Sequence, residues 1–157
     1  MPEGLINLDQ LRRDLRQAEG VQSCLYDDAT GARLIHGSTI QGYPTIGIGH
    51  RADLPLSPAA ILYLLDEDIA AAMADLDRHL SWWRRQPEPV QRALVELTFS
   101  LGIMGLEGFH HLLAALQAGA YPAAADALGA SRWRTQVHDT RALRVMAQLR
   151  SDTLAAD

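Results

Sequence analysis

Cysteine is almost missing from this chain: Cys24 stands alone, which excludes an internal disulfide and implies no oxidising compartment. Lysine is missing altogether, so all 14 basic residues are arginine. The stretch from Met1 to Asn7 carries acid and no apolar run, so neither a signal peptide nor a membrane span is expected there. A target outside the membrane would then require another component for delivery. The histidines show no metal-ligand spacing, and with one cysteine no metal site is expected. Gly47-x-Gly49 is not a nucleotide loop, because Ala52 stands where a third glycine would be and no βαβ unit follows. No internal repeat and no low-complexity tract occurs.

What is present is the composition of an ordinary globular protein. With 157 residues, 48% hydrophobic and 21% charged, the chain is long enough for one domain, of one or two lobes, with a proper core. The net charge of −5 is unevenly spread: residues 1–77 hold 5 arginines against 12 acids, and residues 78–157 hold 9 against 7. Two readings of the arginines stand side by side. They are a compositional habit of the source, or Arg132, Arg134, Arg141, Arg144 and Arg150 face an anionic polymer.

Leu8, Leu11, Leu15 and Ala18 recur at helical spacing after Asn7, a good N-cap, and before Gly20, a natural stop. Glu19 therefore falls in the last turn, where the helix dipole disfavours an anion by roughly 0.3–1 kcal/mol. That suits a group that must carry a proton. From Val21 to Ile48 the texture turns β-branched and glycine-cut. Strands are predicted near 22–27, 33–36 and 44–48, with turns at Asp28-Ala29-Thr30-Gly31 and His36-Gly37. Ser57-Pro58 then opens a long helix with a stripe of Ile61, Leu65, Ile69, Ala72, Leu76 and Leu80. Pro87-Glu88-Pro89 starts a helix over about 90–101, and Gly102, Gly105 and Gly108 break the chain before another over 109–116. Pro122 opens a short helix ending near Gly129, and Ala142, Val145, Met146 and Leu149 mark a terminal one. A small β-hairpin lobe and an all-helical lobe make an α+β fold.

Glu19 and Asp28 are two carboxylates in different surroundings, the minimal equipment for cleaving a glycosidic bond. Asp28 reads equally as a turn residue, since Asp-Asp before a glycine turn is common. Thr45 reads as a strand former. Their company is more specific. Glu19-Gly20, Tyr26-Asp27-Asp28 and then Thr45-Ile46-Gly47-Ile48-Gly49-His50 resemble the active-site lobe of the phage-type lysozymes of the T-even endolysin group. Ser131-Arg132-Trp133, Gln136 and Arg141 match a second signature of that family, and the resemblance spans roughly residues 8–150.

The resemblance implies a lysozyme-like fold, with lobes about 1–56 and 86–157 joined by a helix over about 57–85. It implies a glycoside hydrolase that cuts the β-1,4 bond between N-acetylmuramic acid and N-acetylglucosamine in bacterial peptidoglycan. Glu19 would be the general acid, and Asp28 with Thr45 would hold the attacking water. Arg141 would approach Glu19 and fix its orientation, an effect opposed to that of the helix dipole; which prevails is left open. His50 and Asp68, the latter on the line of Leu64 and Ala72 and so leaning toward the core, would form a structural ion pair. Ser100, where the family often has an amide, Phe109 and Gln136 would contact substrate. The segment Ala32 to Gln41 looks like an insertion, read as a longer loop in preference to a substrate contact. No cofactor, metal, nucleic acid or membrane span is expected, and the protein is expected to be a monomer. It would sit in the host cytoplasm until lysis and act on periplasmic peptidoglycan. A tail-borne enzyme or a bacterial toxin would use the same fold. A lytic transglycosylase and a catalytically dead wall-binding module are the alternative functions.

Overall fold

A computed structural model describes residues 6–150. Residues 1–5 and 151–157 lie outside the described residues, and with them the expectation about the start of the chain and the outer limits of the expected lobes. The described residues divide into two compact units, one up to Pro58 and one from Ala59.

In the first unit the Asn7 side chain accepts from the Gln10 N–H at 3.0 Å and so caps helix α1, Leu8–Glu19. Gly20, at φ 71, ends the helix with its N–H on the Arg16 carbonyl. Both ends fall where the sequence puts them. Three antiparallel strands follow in the order β1 (Gln22–Asp27), β2 (Pro44–Gly47) and β3 (His50–Arg51). The register places Tyr26 opposite Thr45, and Thr45 opposite Arg51. Pro44 is tolerated because it opens its strand.

The strand expected at 33–36 does not form. One bridge joins Tyr26 and Arg33, and the Leu34 N–H donates to the Leu25 carbonyl at 2.8 Å. Beyond that the Ser38 N–H bonds to the Ile35 carbonyl at 3.0 Å, and the Ile35 N–H donates to the Ser38 hydroxyl at 2.9 Å. This local turn occupies the groups that a ladder would need. The third strand is instead β3, reached through Gly47 and Gly49, both at positive φ. Apart from the Arg33 bridge, residues 32–41 form no regular element.

The second unit is helical: α2 (Pro58–His79), a 3-10 turn (Trp83–Arg85), α3 (Glu88–Glu107), α4 (His110–Gln117), α5 (Tyr121–Gly129), α6 (Arg132–Gln136) and α7 (Asp139–Arg150). Its core packs Leu76, Trp83, Leu94, Leu97, Leu116 and Leu149 with their neighbours. Two expectations need correction, and a third holds in part. The α2 stripe is buried only at Ala72, Leu76 and the following Leu80, whereas Ile61 is 53% exposed and Leu65 40%. The helix stops at His79, short of residue 85. The break expected at Gly102 is present, since φ 70, ψ 163 is not helical and splits α3 at a kink, whereas Gly105 lies in the helical piece that runs on to Glu107 and buries Leu106.

Candidate active site

Glu19 sits at the last position of a capped helix and is exposed. Its side chain lies over Gly49: a Cβ added there would stand 3.0 Å from Oε2 and 3.2 Å from Cδ. Gly49 also has φ 67, so both space and backbone conformation call for glycine between β2 and β3. The proton-carrying candidate thus rests on bare backbone.

The two neighbouring aspartates divide their tasks. Asp27, the last residue of β1, is 1% exposed and accepts from three backbone N–H groups: Gln41 at 2.6 Å, Gly42 at 2.9 Å and Ala29 at 3.0 Å. These bonds, that to Gln41 foremost, hold its carboxyl below the usual range against the opposing effect of burial. Its backbone N–H donates to the Ala32 carbonyl at 2.9 Å and its carbonyl accepts from Gly31 at 2.8 Å. Asp27 is therefore the turn residue of the pair.

Asp28 points the other way and is exposed. Its Oδ1 accepts from the Tyr43 N–H at 2.6 Å, and its own N–H donates to the Tyr43 carbonyl at 3.1 Å. Among the described residues none donates a hydrogen bond to its Oδ2. The carboxylate lies over Gly42, where a Cβ would collide with it and come within 2.8 Å of the Ala29 Cβ. Thr45, 3% exposed, donates its hydroxyl proton to the same Tyr43 carbonyl at 3.1 Å, which leaves its oxygen as an acceptor. The backbone of one residue, Tyr43, thus anchors both: its N–H holds the Asp28 carboxylate and its carbonyl the Thr45 hydroxyl. Sequence reasoning missed Asp27 and Tyr43. The only signal for the first was that of two adjacent acids in a strand one must face inward; the second acts through its backbone, which any residue supplies.

In the helical unit Arg141 donates from Nε to Glu96 at 2.8 Å, bonds Ser100 Oγ, and stands 5.9 Å over the Trp133 ring. Arg144 completes a two-arginine clamp on Glu96, with contacts of 2.8 and 2.9 Å. Arg144 first, then Arg141, holds the Glu96 carboxyl below its ordinary range in spite of partial burial. Glu96 gave no signal in the sequence. Ser100 is exposed and also donates to the Glu96 carbonyl at 3.0 Å. Gln136 is exposed at the end of α6. Phe109 is half-buried against the core and lines a pocket of about 410 Å³ with His110, His111 and Ser131. His50 and Asp68 belong to different units, and both are exposed. Asp68 does not lean into the core as its helical line suggested; it lines a recess with Ala71, Ala72, Asp75, Thr98 and Phe99. Glu19 and Arg141 likewise belong to different units.

Among the described residues no group of three or more His, Cys, Asp or Glu side chains is placed to hold a metal ion. Among them, too, no single helix is long and apolar enough to cross a membrane.

A helix ending on an exposed carboxyl, a three-stranded sheet and an all-helical unit built on Leu and Trp compose the α+β, lysozyme-like architecture. The phage lysozyme family model matches residues 16–151, which covers both carboxylates, Thr45 and Arg141. The chain belongs to the phage lysozyme family, a class of peptidoglycan-lytic proteins. No curated protein matches it.

Proposed function

We propose that the protein is a muramidase that hydrolyses the β-1,4 bond between N-acetylmuramic acid and N-acetylglucosamine without a cofactor. Glu19 gives its proton to the leaving glycosidic oxygen as the bond to the anomeric carbon breaks. A water held by Asp28 Oδ2 and Thr45 Oγ1 attacks that carbon, and Asp28 takes the water's proton. The attack comes from the face opposite the leaving group, so the anomeric centre inverts. We place its action in lysis: synthesis in the host cytoplasm and attack on the wall from within.

The observation that supports this reading is the shared anchor of Asp28 and Thr45. Tyr43 fixes one oxygen of the carboxylate and the proton of the hydroxyl. The two atoms left over, a carboxylate oxygen and a hydroxyl oxygen, are acceptors, as a water nucleophile needs.

A turbidity assay on purified peptidoglycan tests it, with wild type beside Glu19→Gln. The variant should keep its fold and lose at least about 100-fold in rate, the scale of a general acid. Near-normal rate in a folded variant would sink the assignment. Released ends should be reducing sugars; 1,6-anhydro ends would identify a transglycosylase, which dispenses with the water.

A further inference from the structure

The backbone of Tyr43 holds Asp28 and Thr45, and the Tyr43 side chain is itself held. The Arg51 guanidinium lies over its ring, 3.5 Å from the centroid. Arg51 in turn forks onto Asp53, Nε to Oδ1 at 3.0 Å and Nη2 to Oδ2 at 2.6 Å. Stacking uses the face of the guanidinium and the fork uses its edge, so one planar group joins the ring to the carboxylate. The strand register brings this about: Arg51 on β3 stands opposite Thr45 on β2, and the Ala52 N–H closes onto the Pro44 carbonyl at 2.7 Å.

We propose that Arg51, set by Asp53 and stacked on Tyr43, is a positioning residue that fixes the Tyr43 backbone and through it the carboxylate of Asp28 and the hydroxyl of Thr45. This rests on the roles given to Asp28 and Thr45 above. Arg51 does not recognise a substrate anion, because its fork is already committed to Asp53. The charged and titratable groups around it are Asp53, the Tyr43 phenol and Asp28, all within the same unit, and each favours its charged form, Asp53 most. Without the clamp the Tyr43 ring, about half exposed, loses its only stacking partner among the described residues, and the Tyr43 N–H and carbonyl that bond Asp28 and Thr45 lose that restraint.

The test uses Arg51→Met, which keeps the length of the stem and removes charge and fork, together with Arg51→Lys. On soluble peptidoglycan fragments Arg51→Met should lower kcat roughly ten- to hundredfold, the cost of a misplaced group, with KM within about twofold. Arg51→Lys, which restores the charge but not the planar fork, should recover part of the loss. A second readout needs no turnover. The Tyr43 amide proton, bonded to the Asp28 carboxylate, should resonate downfield in wild type and in Glu19→Gln, and should move upfield in Arg51→Met. If Arg51→Met fails to fold, Asp53→Asn, which leaves the arginine in place but weakens its fork, carries both measurements. An unchanged Tyr43 resonance with unchanged kcat overturns the proposal, and so does a loss confined to KM. An active Glu19→Gln beside an Arg51-dependent Tyr43 resonance would strike the general acid and leave the clamp standing.

Discussion

In the first unit the only buried residues among those described are Asp27 and Thr45, both polar. The second buries Leu76, Trp83, Leu94, Leu97, Leu128 and many more, with Thr98 and Gln148 its only buried polar residues among those described. One unit is ordered by directed hydrogen bonds and the other by apolar area. Apolar burial is additive and tolerant of small shifts, whereas a hydrogen bond holds one atom in one place. The catalytic carboxylates proposed here lie in the unit where atoms are placed one by one. A stretch of this size buries too little apolar surface to be robust, so its staples decide its order.

The largest expected effect belongs to the helical unit. Leu97 is fully buried in α3, and Leu97→Ala should cost about 2–5 kcal/mol by loss of transfer energy and creation of a cavity. Urea unfolding followed by tryptophan fluorescence measures it. A cost below about 1 kcal/mol would mean that this core is looser than its burial indicates.

Next comes the staple of the first unit. Asp27→Asn keeps the shape but replaces a charged acceptor facing three N–H groups. The amides of Ala29, Gln41 and Gly42 should exchange with solvent at least about tenfold faster, a local opening, with the urea midpoint of the helical unit barely moved. Unchanged exchange at those amides would show that the staple is dispensable and would erase the contrast between the units.

The smallest effect separates the two by acid and salt. Asp77, on α2, has its carboxyl pulled down to about 2, first by Arg84 and then by the Trp83 indole N–H. Its folded value lies below the unfolded value of about 3.9, so the stability it contributes is full above about pH 4 and fades as pH falls through 2. Asp77→Asn should be less stable than wild type at pH 6, and the gap should narrow toward pH 2. The Arg84–Asp77 pair is solvent-exposed on both sides, so about 1 M salt should shrink the gap as well. Asp27, whose carboxyl is lowered by backbone N–H groups, should show the same acid sign with little salt dependence. A gap at Asp77 that is equal at pH 6 and pH 2 would refute the assignment.

Apart from the short α6, the helices were legible because the residues that bound them act locally: Asn7 and Gly20 on α1, Pro58 on α2, Pro89 on α3 and Pro122 on α5 each act within a turn. The sheet was half legible. Residues 33–36 have strand composition, yet whether they pair depends on what Ser38 and Ile35 bond to, which composition does not encode. The two-residue β3 is too short to leave a periodic trace. At the site, the resemblance singled out Asp28, but the separation of its task from that of Asp27 needed the hairpin itself. Tyr43, Arg51 and Glu96 were silent because their roles come from register and from helix-to-helix approach, across gaps of up to 48 residues.

Asp27 grips both feet of the 32–41 loop: its N–H holds Ala32, and its carboxylate holds Gln41 and Gly42. Between those feet the chain is tied back to β1 at Arg33 and Leu34, and residues 35–40 lie beyond those ties. Each doubling of loop length costs only about 0.6 kcal/mol. The span from Ile35 to Ile40 is therefore a natural graft site, where a wall-targeting peptide could be spliced in while the neighbouring carboxylate keeps its aim.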